Sequence, residues 1–118
     1  MARSSEDLQE ELLEMICRGT YQLGDELPPP ADLARSRLLN PRRVLDAYGQ
    51  LTTLGVLLHF DGDQFVVAQG GTEAARRAVT ARTVGRLEAL IRLMKRSGLS
   101  DLDVDAAFEA AKRGSKAP

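Results

Sequence analysis

The sequence has few of the residues that build metal sites and disulfides. It contains one cysteine, one histidine and no tryptophan among 118 residues. The single cysteine, Cys17, excludes an intrachain disulfide, which is consistent with a reducing cytoplasm. One histidine and one cysteine cannot supply the tetrahedral set of nitrogen and sulfur ligands that zinc prefers. We therefore expect no metal and no other cofactor.

Long hydrophobic runs and catalytic motifs are lacking as well. No segment reaches the roughly 18 consecutive apolar residues of a membrane span, and the N-terminus turns acidic too early for a secretory signal. The chain has no glycine-rich phosphate loop and no nucleophile with a recognisable base. The sequence thus predicts a cytoplasmic protein that is not an enzyme and has no membrane partner.

The net charge of −1 conceals an uneven distribution of charge. Residues 6–14 hold five carboxylates, whereas residues 35–43 hold four arginines and no acidic residue. These arginines are Arg35, Arg37, Arg42 and Arg43. A near-neutral chain with one basic patch is compatible with a polyanionic partner.

The order of predicted elements is typical of a helix-turn-helix followed by a wing. Apolar spacing predicts helices over about 5–18, 30–37 and 41–54, then β-strands within 56–60 and 64–68 around the turn sequence Asp-Gly-Asp. Residues 69–72 are interpreted as a linker before a long helix of about 73–97, with Thr72 as its cap, and a last helix follows. The predicted class is mainly α (α+β), with a two-stranded wing and a C-terminal helical hairpin.

The helix predicted over 41–54 has a well-marked start and one apolar face. Asn40 is a good N-cap, and proline at position 41 suits the first helical residue. The face that we expect to be buried has the helical spacing i, i+3, i+4, i+7 and consists of Val44, Ala47, Tyr48 and Leu51. For Tyr48 we favour a core position over stacking on a base, and we interpret Cys17 as a small buried hydrophobic residue.

Several motifs together resemble the GntR family of transcription regulators. The segment ICRGTYQLGDELPPPADLA resembles the family's opening, LNPRRVLDAYGQLTTLGV resembles its recognition helix in the Asn-Pro form of the YtrA-like subfamily, and QFVV resembles the end of its wing. The resemblance covers about residues 8–67. It implies a bacterial DNA-binding regulator, most often a repressor, whose short helical tail forms a dimer. The expected domains are a winged DNA-binding domain at 1–69, a dimerisation tail at 72–113 and a disordered tail at 114–118.

The basic start of the 41–54 helix is the strongest candidate for DNA contact. Arg42 and Arg43 occupy a helix end that disfavours cations, and phosphate would remove that penalty. Arginine can also bind guanine O6 and N7 in a bidentate manner. A solvated polar helix end is the alternative. The predicted DNA-binding residues are Asn40, Arg42, Arg43, Arg35, His59, Gly62 and Gln64, although for His59 the interpretation as a half-exposed strand residue is slightly favoured.

The chain departs from the family pattern at several positions. Family members commonly have an arginine where this chain has Ala31, and another at one of the positions of Leu45 and Asp46. The wing tip carries Asp61 and Asp63, whose charges oppose phosphate. Asp46 is spaced to pair with either of the two helix-end arginines, which would orient an arginine or neutralise it; the sequence leaves this open.

The helical tail has more apolar side chains than a pair of helices can bury alone. Association with a second copy is the simplest solution, and we predict a homodimer that recognises an inverted repeat. The predicted dimerisation residues are Leu87, Leu90, Ile91, Met94, Val104 and Phe108. A small-molecule effector is left open. The rival to DNA binding is a winged-helix module that has replaced DNA with protein contacts.

Overall fold

The computed structural model describes residues 4–116 and contains five helices and two strands within that range. The order is α1 (Ser5–Cys17), α2 (Pro30–Arg37), α3 (Pro41–Thr53), β1 (Leu57–His59), β2 (Phe65–Val67), α4 (Gly71–Arg96) and α5 (Asp101–Gly114). This is the predicted mainly α winged helix-turn-helix with a C-terminal helical segment. No helix in the described range has both the length and the hydropathy needed to cross a bilayer.

The chain divides into two compact units, and the division lies inside α4, between Ala81 and Arg82. The sequence had placed the boundary at 69–72, but Ala74 and Ala75 in the first turns of α4 are buried in the core of the first unit. The helix also begins at Gly71, so Thr72 is a helical residue rather than the cap. Alanines at these positions allow a helix to pack closely, which the linker interpretation overlooked.

The core of the first unit is built from one face of each helix and from both strands. The predicted face of α3 is confirmed, since Val44, Ala47, Tyr48 and Leu51 are all fully buried. Cys17 is half-buried and packs against this core. The largest fully buried side chains in the unit are Tyr48, Leu8, Leu12, Leu13, Ile16, Leu27, Leu51 and Leu57.

The wing is an antiparallel pair in which Leu57 faces Val67 and His59 faces Phe65. The loop between the strands contains the predicted Asp-Gly-Asp turn, with Gly62 in the left-handed region at φ 68°. On its other side, β2 pairs with the segment before α2 through a bridge between Glu26 and Val66. Prolines 28 and 29 keep that segment out of a helix.

The second unit contains the end of α4 and all of α5. Gly98, at φ 91°, ends the first of these helices. Ser100 and Asp103 form a capping box at the start of α5, with the Ser100 hydroxyl accepting from the Asp103 amide at 3.2 Å. The helix continues to Gly114, one residue into the predicted disordered tail. The final two residues of that tail, 117 and 118, lie outside the described residues.

Candidate nucleic-acid interface

The first turn of α3 presents two arginine side chains to solvent. Asn40 caps the helix, and its side-chain oxygen accepts a hydrogen bond from the Arg42 amide at 2.9 Å. Pro41 is the first helical residue, and the side chains of Arg42 and Arg43 are both exposed. The cap and the proline thus determine where the helix begins, and that start places both guanidinium groups at its positive end.

No carboxylate occupies the first turn of α3. Asp46, whose spacing allows an ion pair with Arg42, does not form one in the part of the chain that the structure describes. Both side chains are exposed. The cationic tip of the helix is therefore not neutralised by this neighbour, and the Arg42 guanidinium is available to an external anion.

The other two arginines of the basic patch, Arg35 and Arg37, differ in the burial of their ion pairs. Arg35 is exposed, and its Nη1 lies 3.4 Å from a carboxylate oxygen of Asp32 on the same helix. Such an exposed pair contributes little and leaves the arginine free to exchange partners. Arg37 instead forms an ion pair with Glu11 of α1, and its side chain is only 31% exposed. The sequence alone could not show that the charge of Arg37 is paired within the protein.

The wing holds the remaining predicted site residues. The ring of His59 stacks on that of Phe65, with ring centres 4.2 Å apart and planes at 5°. Its Nε2 lies 2.6 Å from the carbonyl oxygen of Gly62 and therefore donates a hydrogen bond to it. Gln64 is exposed, and its main-chain carbonyl accepts from the Phe60 amide at 2.8 Å. His59 thus stabilises the wing turn, and its Nε2 donor is already engaged by Gly62 and less available to DNA.

The seven predicted DNA-binding residues belong to the first unit and are all exposed. They form two local groups, one at the start of α3 with Arg35 nearby in sequence on α2, and one at the wing. The wing group also includes the exposed carboxylates of Asp61 and Asp63. Positive charge is therefore concentrated at the helix, not at the wing.

Exposed leucines near this helix were not among the predicted site residues. Leu38, in the turn between α2 and α3, is 90% exposed and has a left-handed backbone at φ 56°. Leu45, on α3 itself, is 46% exposed. The sequence did contain a signal for their exposure: both are apolar residues that lie outside the apolar spacing of the buried helix faces.

The predicted dimerisation residues divide into covered and uncovered positions. Val104 is buried within the described chain, so it supports the second unit itself. Ile91, Met94 and Phe108 are half-buried. Leu87 and Leu90 are exposed, and other large apolar side chains in the same unit are exposed with them: Val84, Leu93, Leu99 and Leu102.

The structure was compared with solved structures of other proteins. A GntR family transcriptional regulator from Listeria monocytogenes is similar with a TM-score of 0.72 and 19% identity, over 90% of this chain and 92% of that chain. YtrA from Sulfolobus acidocaldarius, a GntR-family transcription factor, is similar with a TM-score of 0.54 and 23% identity, over 69% of this chain and 85% of that chain. BusR from S. agalactiae, in complex with its busAB-promoter DNA, is similar with a TM-score of 0.59 and 13% identity, over 100% of this chain and 59% of that chain.

This chain has the GntR-regulator fold. The resemblance predicted from the sequence is confirmed at the level of the fold. The Listeria match extends over nine-tenths of the chain and so continues beyond the winged domain into the C-terminal helical segment. These neighbours are described as transcription regulators. No protein-family model and no curated protein matches the sequence.

Proposed function

We propose that this protein is a GntR-family transcription regulator of the YtrA-like kind that binds duplex DNA through α3. One observation carries the proposal: Arg42 and Arg43 are exposed together at the start of the second helix of a helix-turn-helix. In such motifs the N-terminal residues of that helix contact base edges in the major groove. The BusR complex supports the proposal, since a protein of similar fold is seen with promoter DNA.

The electrostatics of the helix start favour an anionic partner. The unpaired amides of a helix N-terminus carry about half a positive charge, and two guanidinium groups there repel it and each other. A bound phosphate offsets both repulsions, because the arginines and the helix amides each attract it. Arg42 can further bind guanine O6 and N7, which discriminates between bases by about 1–3 kcal/mol. Arg43 and Arg35 are assigned to phosphate.

The wing contributes less than the helix under this proposal. The exposed Asp61 and Asp63 oppose phosphate, and His59 is engaged within the turn. Gly62 and Gln64 remain as candidates for close main-chain or amide contacts, and the side-chain nitrogen of Asn40 is a candidate for phosphate. With few phosphate contacts per subunit, the slope of log K against log salt should be much shallower than about −10, the value of a highly basic repressor.

The proposal includes a homodimer formed by the second unit. Six large apolar side chains of this unit are exposed in a single chain, namely Val84, Leu87, Leu90, Leu93, Leu99 and Leu102. Exposed apolar surface of this extent favours association, and two-fold dimers are the commonest oligomers. A two-fold dimer presents α3 twice, so the preferred operator is an inverted repeat. We assign the protein to the bacterial cytoplasm, as a repressor.

The decisive experiment measures DNA binding and association separately. A labelled random duplex at low salt should bind the protein weakly, and selection from a random pool should enrich an inverted repeat. The double variant Arg42→Ala/Arg43→Ala should lose operator binding by at least a hundredfold while sedimentation still shows a dimer. The matched control Arg92→Ala/Arg96→Ala removes the same charge from α4 and should bind nearly as the parent does. Equal loss in both double variants would reject the proposed role of the helix start.

A second candidate function is favoured by the wing. Its exposed carboxylates, together with a histidine held inside the turn, suit a winged-helix module that contacts a basic protein surface. This alternative predicts no binding to any duplex even at low salt. The random-duplex measurement therefore separates the two functions before any operator is known.

A further inference from the structure

Leu45 stands on the outward face of α3 without a role in the core. Its neighbours in sequence, Val44 and Ala47, are fully buried, whereas Leu45 is 46% exposed. The buried face of the helix is complete without it. Water gives an apolar side chain in this position no favourable contact, so a partner that covers it would gain from its burial.

The surroundings of Leu45 indicate which partner that is. Arg42 precedes it by three residues, and such positions are neighbours on one helix face. Gly49 follows it by four residues, and a Cβ at that glycine would meet no atom within 4 Å. The leucine side chain therefore projects from a helix face on which Gly49 leaves open space, beside the cationic group of Arg42. A polyanion with an apolar group on its surface matches this arrangement.

The DNA major groove offers one apolar group to a protein, the C5-methyl of thymine. Along a helix, three residues advance about 4.5 Å, which exceeds the base-pair rise of about 3.4 Å by about a third. Leu45 and Arg42 can therefore reach adjacent or next-adjacent base pairs. Guanine would be read by the arginine, and a thymine close to it would be covered by the leucine.

We propose that Leu45 is a specificity-determining residue that packs on the C5-methyl of one thymine in each half-site, within two base pairs of the guanine bound by Arg42. The inference rests on the proposed function, because it requires α3 to lie in the major groove. The resemblance leads us to expect an arginine near this position, whereas the proposal assigns direct recognition of a base to an apolar side chain.

The test replaces thymine by deoxyuridine, which lacks only the methyl group. After selection of a preferred duplex, each thymine in the half-sites is exchanged in symmetric pairs, and the dissociation constant is measured by fluorescence anisotropy. For the parent protein, one pair of exchanges should weaken binding about fourfold per half-site, in keeping with the transfer of one methyl group. The variant Leu45→Ala should bind the thymine and deoxyuridine duplexes equally well.

A matched control is available at the other end of the same helix. Leu54 is 44% exposed at the C-terminal cap of α3, so Leu54→Ala should keep the full discrimination between thymine and deoxyuridine. Circular dichroism should show both variants folded, since neither side chain belongs to the core. If the parent binds its duplex with the same affinity after every deoxyuridine exchange, or if Leu45→Ala still discriminates, the inference is wrong but the proposed function is not affected. If no duplex binds at all, the proposed function fails with it.

Discussion

The hydroxyl of Tyr48 donates a hydrogen bond to the main-chain carbonyl of Pro28 at 2.8 Å, across 20 residues of sequence. The ring of the same tyrosine contacts Phe65 edge to face, with ring centres 4.9 Å apart. One fully buried side chain of α3 thus touches the segment before α2 and a strand of the wing. The position of the proposed recognition helix within its unit depends on this residue.

Tyr48→Phe should reduce the free energy of unfolding by about 1–2 kcal/mol, because the Pro28 carbonyl loses its donor in a partly buried site. Urea unfolding followed by circular dichroism measures the change. Tyr21→Phe is the matched control: Tyr21 is half-buried, and its hydroxyl forms no hydrogen bond within residues 4–116. A loss as large in the control as in Tyr48→Phe would contradict the importance of this bond.

Stability should also depend on Tyr48 at alkaline pH. Burial, with a smaller contribution from Tyr21, raises the pKa of Tyr48 above its ordinary value of 10.0. The folded state therefore keeps the phenol proton where the unfolded state loses it, so this contribution to stability is intact below pH 10 and declines above it. Between pH 9 and pH 11, the parent should lose more stability than Tyr48→Phe does. Parallel pH profiles for the two proteins would argue against the shift.

Gly71→Ala should destabilise the first unit by about 2 kcal/mol or more. A Cβ at this position would lie 2.4 Å from the carbonyl oxygen of Val56 and 3.1 Å from Val67, so α4 could not begin so close to the wing strands. Gly85 lies in the same helix with open space around it. Its change to alanine should instead stabilise the protein by up to about 1 kcal/mol. Thermal unfolding should therefore shift in opposite directions for the two variants, and a shift in one direction for both would refute the packing argument.

Leu38→Gly should leave the protein as stable or more stable, by up to about 1 kcal/mol. The left-handed backbone of Leu38 costs about 1–2 kcal/mol for a residue with a Cβ, and its side chain is 90% exposed, so little packing is lost. Glycine removes that strain but adds freedom to the unfolded chain. Leu45→Gly, in the middle of α3, should destabilise by about 1 kcal/mol. A clear loss of stability in Leu38→Gly would show that its side chain is needed.

The ion pair between Arg37 and Glu11 should contribute more than the one between Arg35 and Asp32. Its side chains are 31% and 22% exposed, against 77% and 57% for the second pair. Double-mutant cycles with alanine should give a coupling of about 1 kcal/mol for the first pair and under about 0.5 kcal/mol for the second. Couplings of equal size would mean that burial does not strengthen the α1–α2 pair.

Much of the fold could be predicted because local signals agreed with one another. Asn40 and Pro41 mark the start of α3, and the apolar spacing from Val44 to Leu51 marks its buried face, as the structure confirms. The turn residues around Gly62 and the β-type runs on either side predicted the wing. Caps, helical spacing and turns act over a few residues, so they can be read directly along the chain.

The candidate site was predicted less completely than the fold. The exposure of Arg42 and Arg43 followed from helical spacing, but the engagement of Arg37 by Glu11 and of His59 by Gly62 did not. The start of α4 was also misplaced, because Gly70-Gly71 resembles a linker. Gly71 is instead required by a close approach to Val56, which involves residues distant in the sequence.

By itself, the sequence determined where helices and strands begin and which faces are apolar, because capping, spacing and turn chemistry are properties of neighbouring residues. Only the tertiary structure decided which charges remain available and which are neutralised. It also decided that α4 starts inside the first unit and that Leu38 takes a strained turn position. Those outcomes depend on contacts between segments far apart in the chain, and local patterns carry no information about such distances.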